Sequence, residues 1–501
     1  MGIYFVGVLI SLLSFIYQIW PRLKRKYFGV DPWRHLLVAE YIRKHKCLPE
    51  SLTEKYITSA PFGYPPVMSL YLALFPKKFA DKYNFIFAPI FDAIHNYLIF
   101  ITTFLLTNNL LAATFAQVIA VLTPVIVLES SVLSPRILSY LLFSASFFSL
   151  LLFSINGEYL WLILAGILLF ILFYEHRFGI QAYFFSMVAF SIVEHSPRYV
   201  IFFLIIFGLV ILLGGKKYRL IFTEHMGSLV YWYKNGNLRF GHQFRHTKED
   251  PKSVEFVRKL FLFSSKLPFV SIVGESPWLL IFLAILCIKS FNLISVSSVL
   301  PSTILDKLIL WVIALSVVSL LVLSIKKLRF IGEGYRYIEY VIFPLAIILG
   351  SYVPFLFSRY KDLLISLSVF TFICLFFGII FLQKKLILND RNRTITKEKW
   401  EIINYLNSNV GDSLRLAVFP QQEGDAILYF AKGKVLTADS LINLAQIDDF
   451  YPAIKKPMVD IIKKYKLNHI FFDKRYVSFE ELDLRKYKVI KDINDFVLVK
   501  V

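Results

Sequence analysis

Apolar residues fill long stretches of this chain, and polar residues gather between those stretches. The first apolar stretch, 3–20, is long enough to cross a bilayer core, which takes about 20 residues. No small-residue cleavage site follows it, so we interpret it as a retained helix rather than a signal peptide. Ten further apolar stretches predict spans near 86–107, 110–128, 137–155, 159–174, 179–194, 198–214, 268–288, 303–324, 336–356 and 362–382.

Two polar segments interrupt the series: 21–85, called the first loop below, and 215–267. From residue 391 the apolar runs shorten and charge rises. We therefore predict a transmembrane domain over 1–390 and a soluble α/β domain over 391–501, the terminal domain. The terminal domain begins with an amphipathic helix, TKEKWEIINYLNSN. The short segments LRLAVF, KVLTA, HIFFD and FVLVKV are predicted to be strands, with helical stretches between them.

Eleven spans would place the two polar segments and the terminal domain on one side of the membrane. The basic clusters of the loops would then lie on that same side, which the positive-inside rule assigns to the cytoplasm. These clusters are Arg22 to Lys26, Lys216 to Arg219 and Lys326 to Arg329. An alternative is that these cations bind lipid-linked phosphate on the outer side.

Composition agrees with a polytopic membrane protein. Hydrophobic residues make up 57% of the 501 residues and charged residues 18%, whereas soluble domains have about 45–50% and about 25%. This excludes a soluble enzyme, a disordered chain and a fibrous repeat. The net charge of +20 is spread over the loops and suits anionic lipid. There is no phosphate-binding G-x-x-x-x-G-K-[ST] motif and no nucleic-acid motif.

Asp31 and His35 form the sharpest candidate site, in the sequence GVDPWRH just beyond the first span. Residues four apart share one helix face. A carboxylate beside an imidazole can act as a general base with its orienting partner, or as a pair of metal ligands. The alternative is structural: Asp31 caps a helix that starts at Pro32, and Trp33 anchors it at the membrane interface.

Glu129 and Arg136 are a second candidate pair, at the junction of two predicted spans. Charge at the membrane surface is unfavourable unless it is paired. The two residues could form a plain ion pair, or Glu129 could contact a metal or the acceptor.

The first loop also contains Gly63-Tyr64-Pro65-Pro66, which precedes the second span. Taken together, a first helix, a large loop with G-x-D-x-x-x-H and a later Y-P-P resemble the GT-C glycosyltransferases. These integral membrane enzymes use polyprenyl-phosphate-linked sugars, and they include oligosaccharyltransferase catalytic subunits, protein O-mannosyltransferases and aminoarabinose transferases. The resemblance covers the first hundred residues best.

The resemblance implies that Asp31 is the catalytic carboxylate. It also implies that Arg336, in GEGYRYIEY at the start of a late helix, contacts the phosphate of the lipid carrier. We add Tyr337, Arg136 and Tyr64 to the predicted substrate- and phosphate-binding residues. Asp31, His35 and Glu129 are the predicted ligands of a divalent metal, Mg or Mn. Arg336 could instead be an interfacial arginine among tyrosines.

Segment 215–267 offers a binding flap or a solvated basic loop. Its candidate polar side chains are His225, Arg239, His242, Arg245 and His246. Its aromatic residues could stack on sugar faces or lie at the lipid headgroups; they are Tyr231, Trp232 and Tyr233.

The sequence therefore predicts a GT-C type glycosyltransferase that moves a sugar from a polyprenyl-phosphate-linked donor to a lipid, glycan or protein acceptor. Its catalytic face and terminal domain are predicted to be extracytoplasmic. Two alternatives remain: a non-enzymatic transporter or flippase of lipid-linked glycans, and a glycan polymerase or ligase of another membrane fold.

Overall fold

A computed structural model describes residues 2–58, 61–235, 267–291, 297–391, 393–437, 446–451 and 454–501. Most of the predicted binding flap lies outside the described residues, including Arg239, His242, Arg245 and His246.

Helices dominate the described chain. In order they are α1 (Gly2–Lys24), α2 (Asp31–His45), α3 (Val67–Ala73), α4 (Lys77–Tyr83), α5 (Phe87–Thr107), α6 (Leu110–Val121), α7 (Pro124–Ser130), α8 (Pro135–Asn156), α9 (Tyr159–Phe173), α10 (Arg177–Val193), α11 (Arg198–Lys234), α12 (Pro268–Glu275), α13 (Trp278–Ser290), α14 (Ser302–Ser324), α15 (Arg336–Glu339), α16 (Ile342–Arg359), α17 (Lys361–Gln383), α18 (Lys397–Asn409), α19 (Gly424–Phe430) and α20 (Met458–Tyr465).

The polytopic membrane fold predicted from the sequence is confirmed. Within the described residues, seven helices are long and apolar enough to span, and the bent pairs α6–α7 and α12–α13 raise the number to nine. The predicted spans at 159–174 and 179–194 appear as the shorter apolar helices α9 and α10. The stretch at 198–214 continues into α11, whose helix is broken at Gly215.

The helical bundle is held by close packing, with α16 against α6 at its centre. Gly350 permits this contact, because a Cβ there would lie 2.6 Å from the carbonyl oxygen of Ala112. Small residues allow helix backbones to approach closely where lipid supplies no hydrophobic driving force. Helix α17 is almost unburied within the chain and presents its apolar side chains outward, as expected of a lipid-facing helix.

The terminal domain is built on one five-stranded sheet, of which the sequence predicted four strands. Its strands are β1 (Arg415–Phe419), β2 (Lys434–Leu436), β3 (His469–Asp473), β4 (Lys488–Ile493) and β5 (Phe496–Lys500). Their spatial order is β2-β1-β3-β5-β4. β1 is parallel to both β2 and β3, whereas β5 is antiparallel to β3 and β4. The sequence analysis missed β4, whose KVIKDI residues are mostly exposed or half-buried because it is an edge strand.

The terminal domain packs directly on the first loop. Val435 at the sheet edge donates its N–H to the carbonyl of Lys55 at 2.9 Å, and its own carbonyl accepts from Ile57 at 3.1 Å. The Nζ of Lys55 donates to the carbonyl of Ala431 at 2.7 Å. Gly29 likewise donates its N–H to Arg393 at 2.9 Å. These backbone contacts join two segments that are almost 400 residues apart in the chain.

This docking corrects two interpretations of aromatic residues. Trp33 was predicted to anchor the membrane interface, but it is 1% exposed. Its ring lies 5.1 Å from Phe430, because α19 covers it. Tyr231 and Trp232 were predicted to contact sugar or headgroups. They are buried against the terminal domain instead, where the Tyr231 hydroxyl donates to the carbonyl of Tyr451 at 3.0 Å.

Candidate functional site

Asp31 is the first residue of α2 and is exposed. The predicted structural role as a capping residue is wrong, because no side-chain hydrogen bond caps this helix. Gly29 makes the turn before it, with a φ of 109°, a conformation that residues with a side chain rarely adopt. The Trp33 indole N–H donates to the Gly29 carbonyl at 2.7 Å and fixes this turn. The position of Asp31 is therefore set by a rigid turn.

Arg22 holds the segment that leads into this turn. Its guanidinium is 0% exposed and donates to the carbonyls of Lys26 and Phe28 at 3.1 Å each. It also donates to the carbonyl of Ser131 at 2.6 Å. Arg22 thus links the approach to Asp31 with the junction that follows Glu129. The sequence analysis had placed Arg22 in a basic cluster that was a candidate for lipid-phosphate binding, a role its complete burial contradicts.

His35 is buried on the same helix as Asp31, with 2% exposure. Its Nδ1 lies 3.1 Å from the Ser69 hydroxyl, and its ring packs 5.6 Å from that of Tyr64. Burial lowers the pKa of His35 to about 4, although the charge of Asp31 acts in the opposite direction. His35 is consequently neutral at pH 7.

Two arginines lie close to the ring of Tyr64. The guanidinium carbons of Arg34 and Arg177 stand 4.9 Å and 5.3 Å from its ring centre. The Nε and Nη2 of Arg34 and the Nε of Arg177 are buried and have no hydrogen-bond partner among the described residues. Arg177 also donates to Glu224 at 3.2 Å, and Glu224 accepts the N–H of Gly63 at 3.0 Å. N–H donors without a hydrogen-bond partner among the described residues therefore lie beside the Tyr-Pro-Pro turn.

Glu129 and Arg136 form an ion pair, the plainer of the two roles predicted for them. Their side chains keep 27% and 14% exposure, so the pair remains partly accessible. The charges of Glu339 and Asp31 also act on Arg136, which places Arg136 among the carboxylates of the site.

Arg336 forms an ion pair with Glu333, and its guanidinium lies 4.9 Å from the ring of Phe178. Its Nε has no hydrogen-bond partner among the described residues. Tyr337 is 0% exposed, and its hydroxyl donates to Gln181 at 3.0 Å. Tyr337 therefore anchors the start of this late helix from within the bundle.

The predicted residues meet in one region. The charges of Arg136, Arg336 and Arg177 all act on the buried His176. No group of three or more His, Cys, Asp or Glu side chains among the described residues is arranged to hold a metal. Asp31, His35 and Glu129 therefore do not form a ligand set.

Sequence reasoning missed several residues of this region. Glu175, His176 and Arg177 follow one another between two apolar runs, and such charge inside an apolar stretch was a usable signal. The fully buried Glu175 lies beside the backbone of Met68, and burial raises its pKa well above the usual value. Asp425 gave no signal, because α19 of the terminal domain brings it to α2 only in the folded chain.

Asp425 is half-buried, and the charges of Arg34 and Asp31 both act on it. Burial raises the pKa of Asp425 to about 7; Asp31 adds to this shift and Arg34 opposes it. The terminal domain thus contributes a carboxyl group to the surroundings of Asp31.

No protein-family model matches the sequence, and no curated protein sequence matches it. Solved structures do. ArnT from Cupriavidus metallidurans, in a crystal structure with bound undecaprenyl phosphate, has a TM-score of 0.58 and 14% identity; the match covers 98% of this chain and 97% of that one.

The archaeal oligosaccharyltransferase AglB from Archaeoglobus fulgidus is also similar. Its complex with an inhibitory peptide and a dolichol-phosphate has a TM-score of 0.55 and 12% identity, over 94% of this chain and 69% of that one. Its complex with zinc and sulfate has a TM-score of 0.56 and 14% identity, over 93% and 68%. At these identities the likeness establishes the fold, and it confirms at that level the resemblance to GT-C glycosyltransferases predicted from the first loop.

Proposed function

We propose that this protein is an integral membrane glycosyltransferase that uses a polyprenyl-phosphate-linked sugar. The observation that carries the proposal is the end-to-end similarity to a structure that holds undecaprenyl phosphate. It is supported by the arrangement of Asp31, which lies exposed at a fixed turn and whose charge acts on Arg136 and Tyr64.

In this proposal Asp31 takes the proton of the acceptor hydroxyl or amide. The acceptor atom forms a bond to the anomeric carbon of the sugar as the bond from that carbon to the phosphate oxygen breaks. The polyprenyl phosphate leaves with the bonding electron pair, and inversion follows if the displacement is direct. Positive groups that already stand in place stabilise the charge developing on the phosphate, which is usually the largest contribution to such catalysis.

The phosphate would be bound by Arg34 and Arg177 beside Tyr64. The Nε and Nη2 of Arg34 and the Nε of Arg177 are buried and have no hydrogen-bond partner among the described residues, and guanidinium groups match phosphate oxygens in geometry. Arg136 forms an ion pair with Glu129, and Arg336 forms one with Glu333. These two arginines therefore contribute mainly through the positive potential at the phosphate, and less through direct hydrogen bonds to it.

The predicted Mg or Mn ion does not enter this mechanism, because the described residues do not provide three ligands for it. The partners that we propose are the lipid-linked donor and a lipid, glycan or protein acceptor.

The test uses the full chain in lipid nanodiscs with undecaprenyl phosphate carrying a radiolabelled sugar. We expect free undecaprenyl phosphate and a labelled product, with the rate reduced at least 100-fold in Asp31→Asn, since general-base catalysis contributes about 10²–10⁴-fold. Glu40→Gln is the matched control, because Glu40 lies on the same helix in a surface ion pair with Lys77. Full turnover in Asp31→Asn would contradict the proposal, and movement of intact donor across the bilayer would favour a transporter.

We further propose that the face carrying Asp31 and the terminal domain is extracytoplasmic, against the simple charge rule. A reporter fused after Val501 should be active only outside the cytoplasm. Cytoplasmic activity would reverse the orientation.

A further inference from the structure

A cluster of polar side chains lies between α1 and α5, within the membrane-spanning part of the bundle. Ser14 and Gln18 come from α1, and Asp92 and Asn96 come from α5. Each pair is spaced four residues apart and so lies on one helix face. All four side chains are between 0% and 1% exposed.

The hydrogen-bond donors of this cluster all donate to the same oxygen, Asp92 Oδ2. Asp92 Oδ2 accepts hydrogen bonds from the Ser14 hydroxyl at 3.3 Å, from Asn96 Nδ2 at 2.7 Å and from Gln18 Nε2. The two amide nitrogens also approach the Ser14 oxygen, at 3.1 Å and 3.2 Å. Three donors on one carboxylate oxygen favour the ionised carboxyl group, whereas complete burial disfavours it unless a cation stands beside it.

Three acceptor oxygens remain without a hydrogen-bond partner among the described residues: Asp92 Oδ1, Gln18 Oε1 and Asn96 Oδ1. Each belongs to a side chain that touches, or includes, Asp92 Oδ2, so all three lie within the same buried cluster. No Lys, Arg or His of the described chain acts on Asp92. A buried carboxylate with no cation beside it is strongly unfavourable within a membrane.

We propose that Asp92, Gln18 and Asn96 bind a monovalent cation of the Na⁺ class between α1 and α5. Carboxylate and amide oxygens are the ligands that hard cations prefer. One carboxylate neutralises one positive charge, whereas a divalent ion would leave an excess charge in a region of low dielectric constant. A proton on Asp92 Oδ1 would satisfy that atom and one amide oxygen, but it would leave the other amide oxygen unpartnered.

The cation would fasten α1 to α5 one helical turn before Arg22, which follows Gln18 by four residues. The site therefore supports the part of α1 from which the first loop leaves the membrane. It is independent of the proposed sugar transfer, and a failure of one proposal leaves the other standing.

The experiment measures the melting temperature of the full-length protein in detergent, in separate samples that contain 150 mM NaCl, KCl or choline chloride at the same pH. We expect the melting temperature to rise by several degrees with a saturable dependence on Na⁺ or K⁺ relative to choline. Asp92→Asn should abolish this dependence. Thr103→Val is the control, since Thr103 is a buried polar residue on the same helix whose hydroxyl donates to the carbonyl of Ile99.

A second measurement does not require a variant that folds. Wild-type protein equilibrated with radioactive ²²Na⁺ and passed through a desalting column should retain about one ion per chain, and unlabelled Na⁺ should displace it. Equal melting temperatures in the alkali and choline salts together with no retained ion would overturn the proposal. So would an ion response that survives in Asp92→Asn.

Discussion

Replacement of Arg22 by lysine tests whether a buried arginine fixes the position of Asp31. Besides the three carbonyl contacts described above, the Arg22 guanidinium donates to the carbonyl of Arg25 at 3.0 Å and approaches Asn84 Oδ1 at 3.4 Å. It therefore serves five acceptors from three nitrogens. A lysine ammonium has three donors at one point and cannot reproduce this planar fork.

The expected loss follows from this count. At least two of the five acceptors lose their partner in Arg22→Lys, and a hydrogen bond to a charged group contributes about 1.5–3 kcal/mol. We expect a loss of about 3 kcal/mol and a melting temperature lower by roughly 5 °C for a chain of this size. Because the freed carbonyls lie on the approach to Asp31, we also expect the rate of sugar transfer to fall.

The assay is thermal unfolding in detergent by intrinsic fluorescence, together with the transfer rate in nanodiscs. Lys24→Gln is the control, because Lys24 is an exposed cation of the same helix end and its removal also changes the charge near the membrane surface. If Arg22→Lys melts within 1 °C of the wild type and transfers sugar at the same rate, the reasoning from the buried guanidinium is refuted.

Two further predictions concern the surroundings of Asp31. Arg34→Lys should lower the affinity for undecaprenyl phosphate about tenfold without changing the fold, since lysine offers neither the fork nor the flat stacking on Tyr64; equal binding in native mass spectrometry would contradict this. The second prediction concerns Asp425. Burial first, and then the charge of Asp31, raises the pKa of Asp425 to about 7. The stability that this carboxyl group contributes is therefore complete below about pH 4 and is lost as the pH rises through 7. Relative to wild type, the free energy of unfolding of Asp425→Asn should therefore rise by about 2 kcal/mol between pH 5 and pH 8, allowing for partial exposure. The control is Asp412→Asn, an exposed residue, which should show no such rise. Equal pH profiles of melting temperature for wild type and Asp425→Asn would refute the assignment.

The membrane-spanning helices and the terminal strands were predictable because their signals are local. A bilayer requires about 20 apolar residues in succession, and a half-buried strand requires alternation over a few residues. HIFFD and FVLVKV are instead short continuous apolar runs, the pattern of a buried strand, and they became β3 and β5, which are almost wholly buried. β4 was missed because, as an exposed edge strand, it lacks that pattern.

The candidate site was predictable only where its residues form a short motif. Asp31 and Tyr64 could be singled out in this way, and the resemblance to a family of membrane glycosyltransferases followed from their spacing. Arg34 lies within the same motif, yet its place beside Tyr64 depends on how the first loop folds back on itself.

The sequence by itself determined that this is a polytopic membrane protein with a small α/β domain, because hydropathy is a property of each segment alone. Only the tertiary structure decided which charged side chains are buried or paired and which are accessible to a ligand. Arg22 appeared as one of several loop cations, yet it is buried as a structural donor. Trp33 appeared interfacial until the terminal domain covered it, and Asp425 reaches α2 from nearly 400 residues away. Such outcomes depend on long-range packing, which brings together groups whose spacing in the chain carries no common pattern.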